Sequence, residues 1–136
     1  MATRRTAKAT PRAGNTAAKR RESVLTYDTV RRLGALFPEV EEETSYGTAA
    51  LKVRGKLMTR LWEDGETLVV RTDFVNRDLL LRANPDAIFV TDHYRNYPYL
   101  LVRLPRVTET QLRELLEDAW RLLAPKRLIA QYDGEP

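Results

Sequence analysis

The sequence predicts a single α+β domain of two layers, an antiparallel sheet covered on one side by N- and C-terminal helices. Three observations point there. Leu112, Leu115, Leu116, Ala119, Trp120 and Leu123 recur at helical spacing, bracketed by cap and stop signals. From Thr44 to Asp73 the period drops to two, and Asp64-Gly65 between Trp62 and Thr67 is a two-residue hairpin signal. The chain's 136 residues suit one domain, long enough to bury roughly two-thirds of its unfolded surface without metal or disulfide staples.

Taken in order, residues 1–22 stand apart from residues 23–136. The first 21 hold seven cations (Arg4, Arg5, Lys8, Arg12, Lys19, Arg20, Arg21) and no acid, among Ala and Thr with almost no large apolar side chain. Such a segment cannot offset its ordering entropy by burial, so it reads as a disordered basic tail. The rest holds 16 basic and all 19 acidic residues, a net of −3. The pI near 9.6 therefore belongs to the tail, and the domain is not basic. The tail reads as an arm lying along nucleic-acid phosphates, with a solubilising or targeting segment as the alternatives.

A helix is predicted over Tyr27–Phe37, capped by Thr26, with Val30, Leu33, Gly34 and Phe37 on one face and Pro38 ending it. Glu39, Glu41, Glu42 and Glu43 follow as a solvated acidic loop, with a hard-cation site as the less common reading. The hairpin at Asp64-Gly65 sets Leu61 opposite Leu68, Thr59 opposite Val70 and Leu57 opposite Thr72 on the core face. Keeping Leu51 on that face across the Arg54-Gly55 turn requires an odd number of loop residues. The other face then receives Lys52, Met58, Arg60, Trp62, Thr67, Val69 and Arg71. Asn76 is the predicted cap of a short helix over Arg77–Ala83, closed by Asn84-Pro85. Strands follow at Ala87–Thr91 and Tyr99–Leu104, separated by the polar, aromatic loop Asp92–Pro98.

The last helices have the clearest signals. Thr108-Glu109-Thr110-Gln111 has the form of a capping box, and Val107 with Leu112 has staple spacing. Ala124-Pro125 stops that helix and starts another, because proline is disfavoured inside a helix and welcome at its first position.

The order helix, hairpins, short helix, two strands and paired helices resembles the MmcQ/YjbR-like family over about residues 24–132. Thr44-Ser45-Tyr46-Gly47-Thr48, Lys52-Val53-Arg54-Gly55-Lys56, Thr91-Asp92-His93-Tyr94-Arg95 and the run Ala119–Leu128 carry the likeness. The resemblance implies a two-layer α+β domain similar to frataxin-like and secretion-chaperone-like folds. It also implies the "double-wing" DNA-binding label that the family carries by structural analogy. Many members have Lys and Trp where this chain has Asn96-Tyr97-Pro98-Tyr99-Leu100-Leu101, and the family supplies no catalytic residues.

There is no cysteine, which excludes disulfides, thiolate catalysis and zinc–thiolate sites. His93 is the single histidine; beside Asp92 and Tyr94 it could serve as an acid or base, but no nucleophile accompanies it, and a loop hydrogen bond is the plainer reading. No apolar run reaches the length of a membrane span, so a cytoplasmic protein without metal or cofactor is expected. Lys126 and Arg127 open the final helix against the dipole preference, a cost that a role for their charge or pairing with Glu117 or Asp118 would explain.

The richest constellation is the non-core face of the sheet. Lys52, Arg60, Arg71 and Arg103 share it with Met58, Trp62, Val69 and Tyr99, and cations interleaved with rings suit a phosphate backbone with stacked bases. A solvated face and a dimer interface use the same residue types. The expected function is a non-enzymatic, largely sequence-independent nucleic-acid binder, with DNA the expected partner. The alternative is a protein-interaction module, homodimeric through that face.

Overall fold

The computed structural model describes residues 24–134, so the predicted basic tail and its seven cations lie outside the described residues. The elements are α1 (Tyr27–Gly34), β1 (Val40–Ser45), β2 (Thr48–Val53), β3 (Lys56–Leu61), β4 (Thr67–Arg71), α2 (Phe74–Ala83), β5 (Ile88–Phe89), β6 (Tyr99–Arg103), α3 (Glu109–Leu123) and α4 (Lys126–Tyr132). Short 3₁₀ turns at Asp92–Tyr94 and Leu104–Arg106 flank β6. The sheet runs β1-β2-β3-β4-β6-β5 with every neighbour antiparallel. All four helices among the described residues contribute to the core on one face of it, giving the expected α+β architecture.

The capping box on α3 forms as its spacing requires. The Gln111 amide donates to Thr108 Oγ1 at 3.1 Å and the Thr108 amide to Gln111 Oε1 at 2.9 Å. Behind it the apolar stripe is buried from Leu112 to Leu123. Trp120 is 0 % exposed, its ring in a three-way cluster with Phe37 and Tyr132, and its indole N–H donates to the Pro38 carbonyl at 2.9 Å. That bond satisfies the one polar atom that burial would otherwise strand. Gly34 brings α1 against the sheet: a Cβ there would run into the Leu51 side chain.

Four local expectations change. The acidic stretch is an edge strand, not a loop: β1 pairs Glu41 with Lys52 and Glu43 with Ala50. Glutamate is poor strand material, but on an edge it meets water and deters pairing with other chains. α2 is capped by Asp73, whose carboxylate accepts the Asn76 amide at 2.7 Å, so the helix starts three residues before Arg77. β5 is two residues long, and Leu104 leaves β6 for a 3₁₀ turn.

The fourth correction matters most for the site. The β3–β4 register is as the hairpin dictates, with Leu61 opposite Leu68 and Thr59 opposite Val70. The Arg54-Gly55 turn, however, has two residues, both at positive φ (52° and 81°), not an odd number. A β-bulge restores parity: Leu51 pairs with Thr59 but Lys52 with Leu57, leaving Met58 as the extra residue. Met58 therefore sinks into the helix-side core beside Leu51 and Val53, and Leu57 turns to the opposite face. Two residues exchange sides.

Candidate functional site

The ladders place the predicted residues on one face. Lys52 and Arg60 lie on the face shared with Val69, Arg71 pairs with Tyr99, Thr67 with Arg103, and Trp62 continues β3. Met58 leaves the set. That face is not open, though. Val69, Leu101 and Tyr94 form a second, smaller core, with Trp62, Phe89, Val90 and Tyr99 packed on it. The lid is the loop after β5, folded back over the strands.

Arg60 shows what the lid does. It is 4 % exposed. Its Nε and Nη2 donate to Tyr94 Oη at 3.2 and 2.8 Å, and Nη1 donates to Thr48 Oγ1 and the Leu61 carbonyl at 3.3 Å. Glu63 lies 3.5 Å from Nη1, and the guanidinium carbon sits 5.1 Å from the Tyr46 ring centre. A guanidinium with four of its five N–H donors engaged, and buried, anchors the face instead of reaching out to a phosphate. The other cations differ in freedom. Lys52 pairs with Glu43 at 3.3 Å. Half-buried Arg71 donates to the Thr72 carbonyl at 3.2 Å. Arg103 is exposed, its guanidinium 4.1 Å from the Phe89 ring centre. Trp62 is half-buried, its ring 6.3 Å from Phe89. Tyr99 is half-buried too, and burial pushes its hydroxyl pKa up against the pull of Arg71.

Beside Arg60 opens a cleft of about 220 Å³ lined by Tyr46, Leu57, His93, Tyr94, Tyr97 and Tyr99. Tyr94 lies 5.8 Å from Tyr99, centre to centre. His93 makes no hydrogen bond among the described residues; its ring stands edge-on to Tyr94 at 4.6 Å and 6.3 Å from Tyr97. Leu57 is there because of the bulge at Met58. Tyr46 occupies the β1–β2 turn at φ 53°, ahead of Gly47 at φ 79°, and is 77 % exposed. A tight hairpin turn demands that backbone at both positions, and a bulky side chain adopts it only at a cost of order 1–3 kcal/mol. Here it holds an aromatic ring over the mouth of the cleft.

The loop owes its shape to Arg77. This side chain is 8 % exposed and faces four backbone carbonyls: Nη1 donates to Tyr94, Tyr97 and Tyr99 at 3.1, 2.9 and 3.1 Å, and Nη2 to Arg95 at 2.9 Å. It also lies 4.9 Å from the Phe74 ring centre. A planar fork of five donors suits such a set of acceptors, where a lysine offers one point. Arg77, Tyr46, Leu57, Tyr94 and Tyr97 are absent from the site that periodicity assembles. Their one sequence signal is the density of tyrosine across Tyr94–Tyr99.

The remaining charged features are accounted for structurally. Glu39, Glu42 and Glu43 each carry a cationic partner, Arg54, Arg31 and Lys52 respectively, and the described residues contain no cluster arranged to hold a metal. Lys126 and Arg127 make no pair with Glu117 or Asp118; Glu117 is taken by Arg113 and Arg121. Asp64 ties the β3–β4 turn. Burial opposes its ionisation, but hydrogen bonds from the Thr67 hydroxyl and the Glu66 and Thr67 amides hold its carboxyl below the usual carboxylate range. No helix among the described residues is long and apolar enough to cross a membrane.

An antiparallel sheet with helices on one face and a looped-over aromatic cleft on the other defines the structural class. The family model YjbR matches residues 35–122, and the chain belongs to that family. Uncharacterised proteins of Mycobacterium tuberculosis and Mycobacterium bovis are each 38% identical over 53 residues, which is 39% of this chain and 41% of theirs. The chain thus aligns with less than half of those relatives' length. The crystal structure of a Deinococcus radiodurans protein with the family-model domain DUF419 superposes with a TM-score of 0.66 at 21% identity, covering 83% of this chain and 91% of that one. It shares the fold.

Proposed function

We propose that this chain is a non-enzymatic nucleic-acid binder that stacks unpaired bases in the tyrosine cleft. The observation that carries the proposal is Tyr46: an exposed ring held at positive φ beside Tyr94, Tyr97 and Tyr99. Aromatic faces accept any base, which makes the binding largely independent of sequence and selective for single strands. Arg71, opposite Tyr99 on the ladder, serves as a phosphate contact, and Arg95 and Lys52 serve once released from Asp92 and Glu43. The seven cations of residues 1–21 add attraction at longer range. Arg60 supports this site from beneath instead of touching the ligand.

The test is binding of oligothymidylate and of a duplex of equal length at two salt concentrations, with the double variant Tyr46→Ala/Tyr97→Ala alongside wild type. Two lost stacking contacts at roughly 1–3 kcal/mol each predict at least a thirtyfold weaker oligothymidylate complex. Duplex binding, driven by the basic arm, should change little. Failure of the full-length protein to bind either form at low salt refutes the proposal.

A protein-interaction role is the second reading, and one observation favours it. Val75, Leu79 and Leu122 stand exposed together along α2 and α3.

A further inference from the structure

Between α2 and α3 lie two hollows of about 390 and 510 Å³ that share Asp118 as a common wall. Their lining combines apolar side chains with acids. Leu80, Ile88 and Leu115 line one, and Val75, Leu79 and Leu122, the first 73 % exposed, line the other. The acids are Glu114 in the first hollow, Asp73 in the second and Asp118 between them, and none has an ion pair among the described residues. Arg121 is the one cation on the lining among the described residues, and it is committed to Glu117 and Asp133 at 2.9 and 2.7 Å. Partial burial, then Glu117, Glu114 and Asp73, push the Asp118 carboxyl pKa up, against Arg121. The trough mixes apolar and acidic side chains, and its cation is already paired.

We propose that residues 1–22 dock in cis on this trough, so that the arm is shared between the α2–α3 acids and an external polyanion. Charge complementarity selects the occupant. The arm brings seven cations, one acid at its end, and alanines as its apolar component. The acidic stretch at β1 competes less well, since Glu39, Glu42 and Glu43 already have cationic partners. A second copy fits badly: a two-fold interface would set one acidic rim against the other. Length is no obstacle. Twenty-two extended residues span up to roughly 70 Å, about twice the diameter of a domain this size. Single surface ion pairs contribute little, but a tether places several cations at a local concentration on the order of millimolar.

The docking half stands by itself; the sharing half rests on the nucleic-acid proposal. The chain has no cysteine, so Ala7→Cys in the full-length protein accepts one nitroxide label at a chosen site. At low salt, amides of Val75–Leu79 and Glu114–Leu122 should be broadened most. The broadening should fade near about 0.5 M salt, where the Debye length is only about 4 Å. It should also fade in Glu114→Gln/Asp118→Asn, which keeps the side-chain shapes. Broadening centred elsewhere, or indifferent to that double variant, overturns docking. So does broadening that persists between labelled and isotope-enriched molecules mixed together, since the contact is then intermolecular. The sharing half is read separately, as tighter oligothymidylate binding by the same double variant, by about fivefold, or about 1 kcal/mol. Unchanged affinity refutes sharing and leaves docking to the broadening. If wild type binds no nucleic acid, the nucleic-acid proposal fails, and sharing with it.

Discussion

Arg77→Met would unmake the tyrosine loop while keeping most of the apolar bulk of the side chain. Four carbonyls would lose the guanidinium, those of Tyr94, Arg95, Tyr97 and Tyr99, though Tyr94 and Tyr97 would keep the backbone amides of Tyr97 and Tyr99. Three of them share Nη1, whose two hydrogens cannot make three good bonds, so about three full interactions are at stake. Hydrogen bonds from a charged donor contribute roughly 1.5–3 kcal/mol each, but water reaches part of this loop and the variant no longer pays to bury a charge. The balance is a loss of about 3 kcal/mol. At about 4 °C per kcal/mol for a domain this size, the melting temperature should fall by about 12 °C. Urea denaturation gives the free energy, and amide exchange at Tyr94–Tyr99 locates it. Arg77→Lys should recover only a minor part, since one ammonium cannot face four carbonyls spread along a loop. A loss under about 1 kcal/mol for Arg77→Met, with exchange at these amides unchanged, would refute this account of what holds the cleft.

Three further outcomes follow from the geometry. Trp120→Ala should cost about 3–5 kcal/mol through lost burial, a cavity and an unpaired Pro38 carbonyl; a melting temperature within a degree or two of wild type would remove Trp120 from the core. Asp64→Ala should cost about 1 kcal/mol at neutral pH by freeing three donors in the β3–β4 turn. Because the folded-state pKa of Asp64 is depressed, its contribution is present above the usual carboxylate range and lost as pH falls through the folded value. The wild-type and variant stability curves should therefore converge in acid, and a constant gap would contradict the assignment. Deleting residues 1–21 removes seven cations; the salt slope for duplex binding should weaken by about 3 of a possible roughly 6, with residual affinity confined to single strands.

What sequence alone determined here is what a few neighbouring residues decide together. The Thr108 box, the Leu112–Leu123 stripe, the Pro125 break and the Asp64-Gly65 hairpin each depend on partners within a turn or two of one another; the box and the stripe form as their spacing requires, Pro125 caps the last helix instead of opening it, and the hairpin keeps its register around a four-residue turn, Glu63–Glu66. The hairpin's period of two likewise carried Arg60 and Arg71 to one face, and the alternation of β6 carried Tyr99 and Arg103; Lys52 reaches that face only because the bulge offsets the even turn. Tertiary structure decided how that face is used. The bulge at Met58 answers to a core that takes Met58 and rejects Leu57, and nothing in the local alternation marks it. Arg60 is closed off by Tyr94, 34 residues away, and Arg77 reaches carbonyls 17 to 22 residues on. Backbone carbonyls are the same at every position, so a sequence cannot show which four of them a buried guanidinium will find.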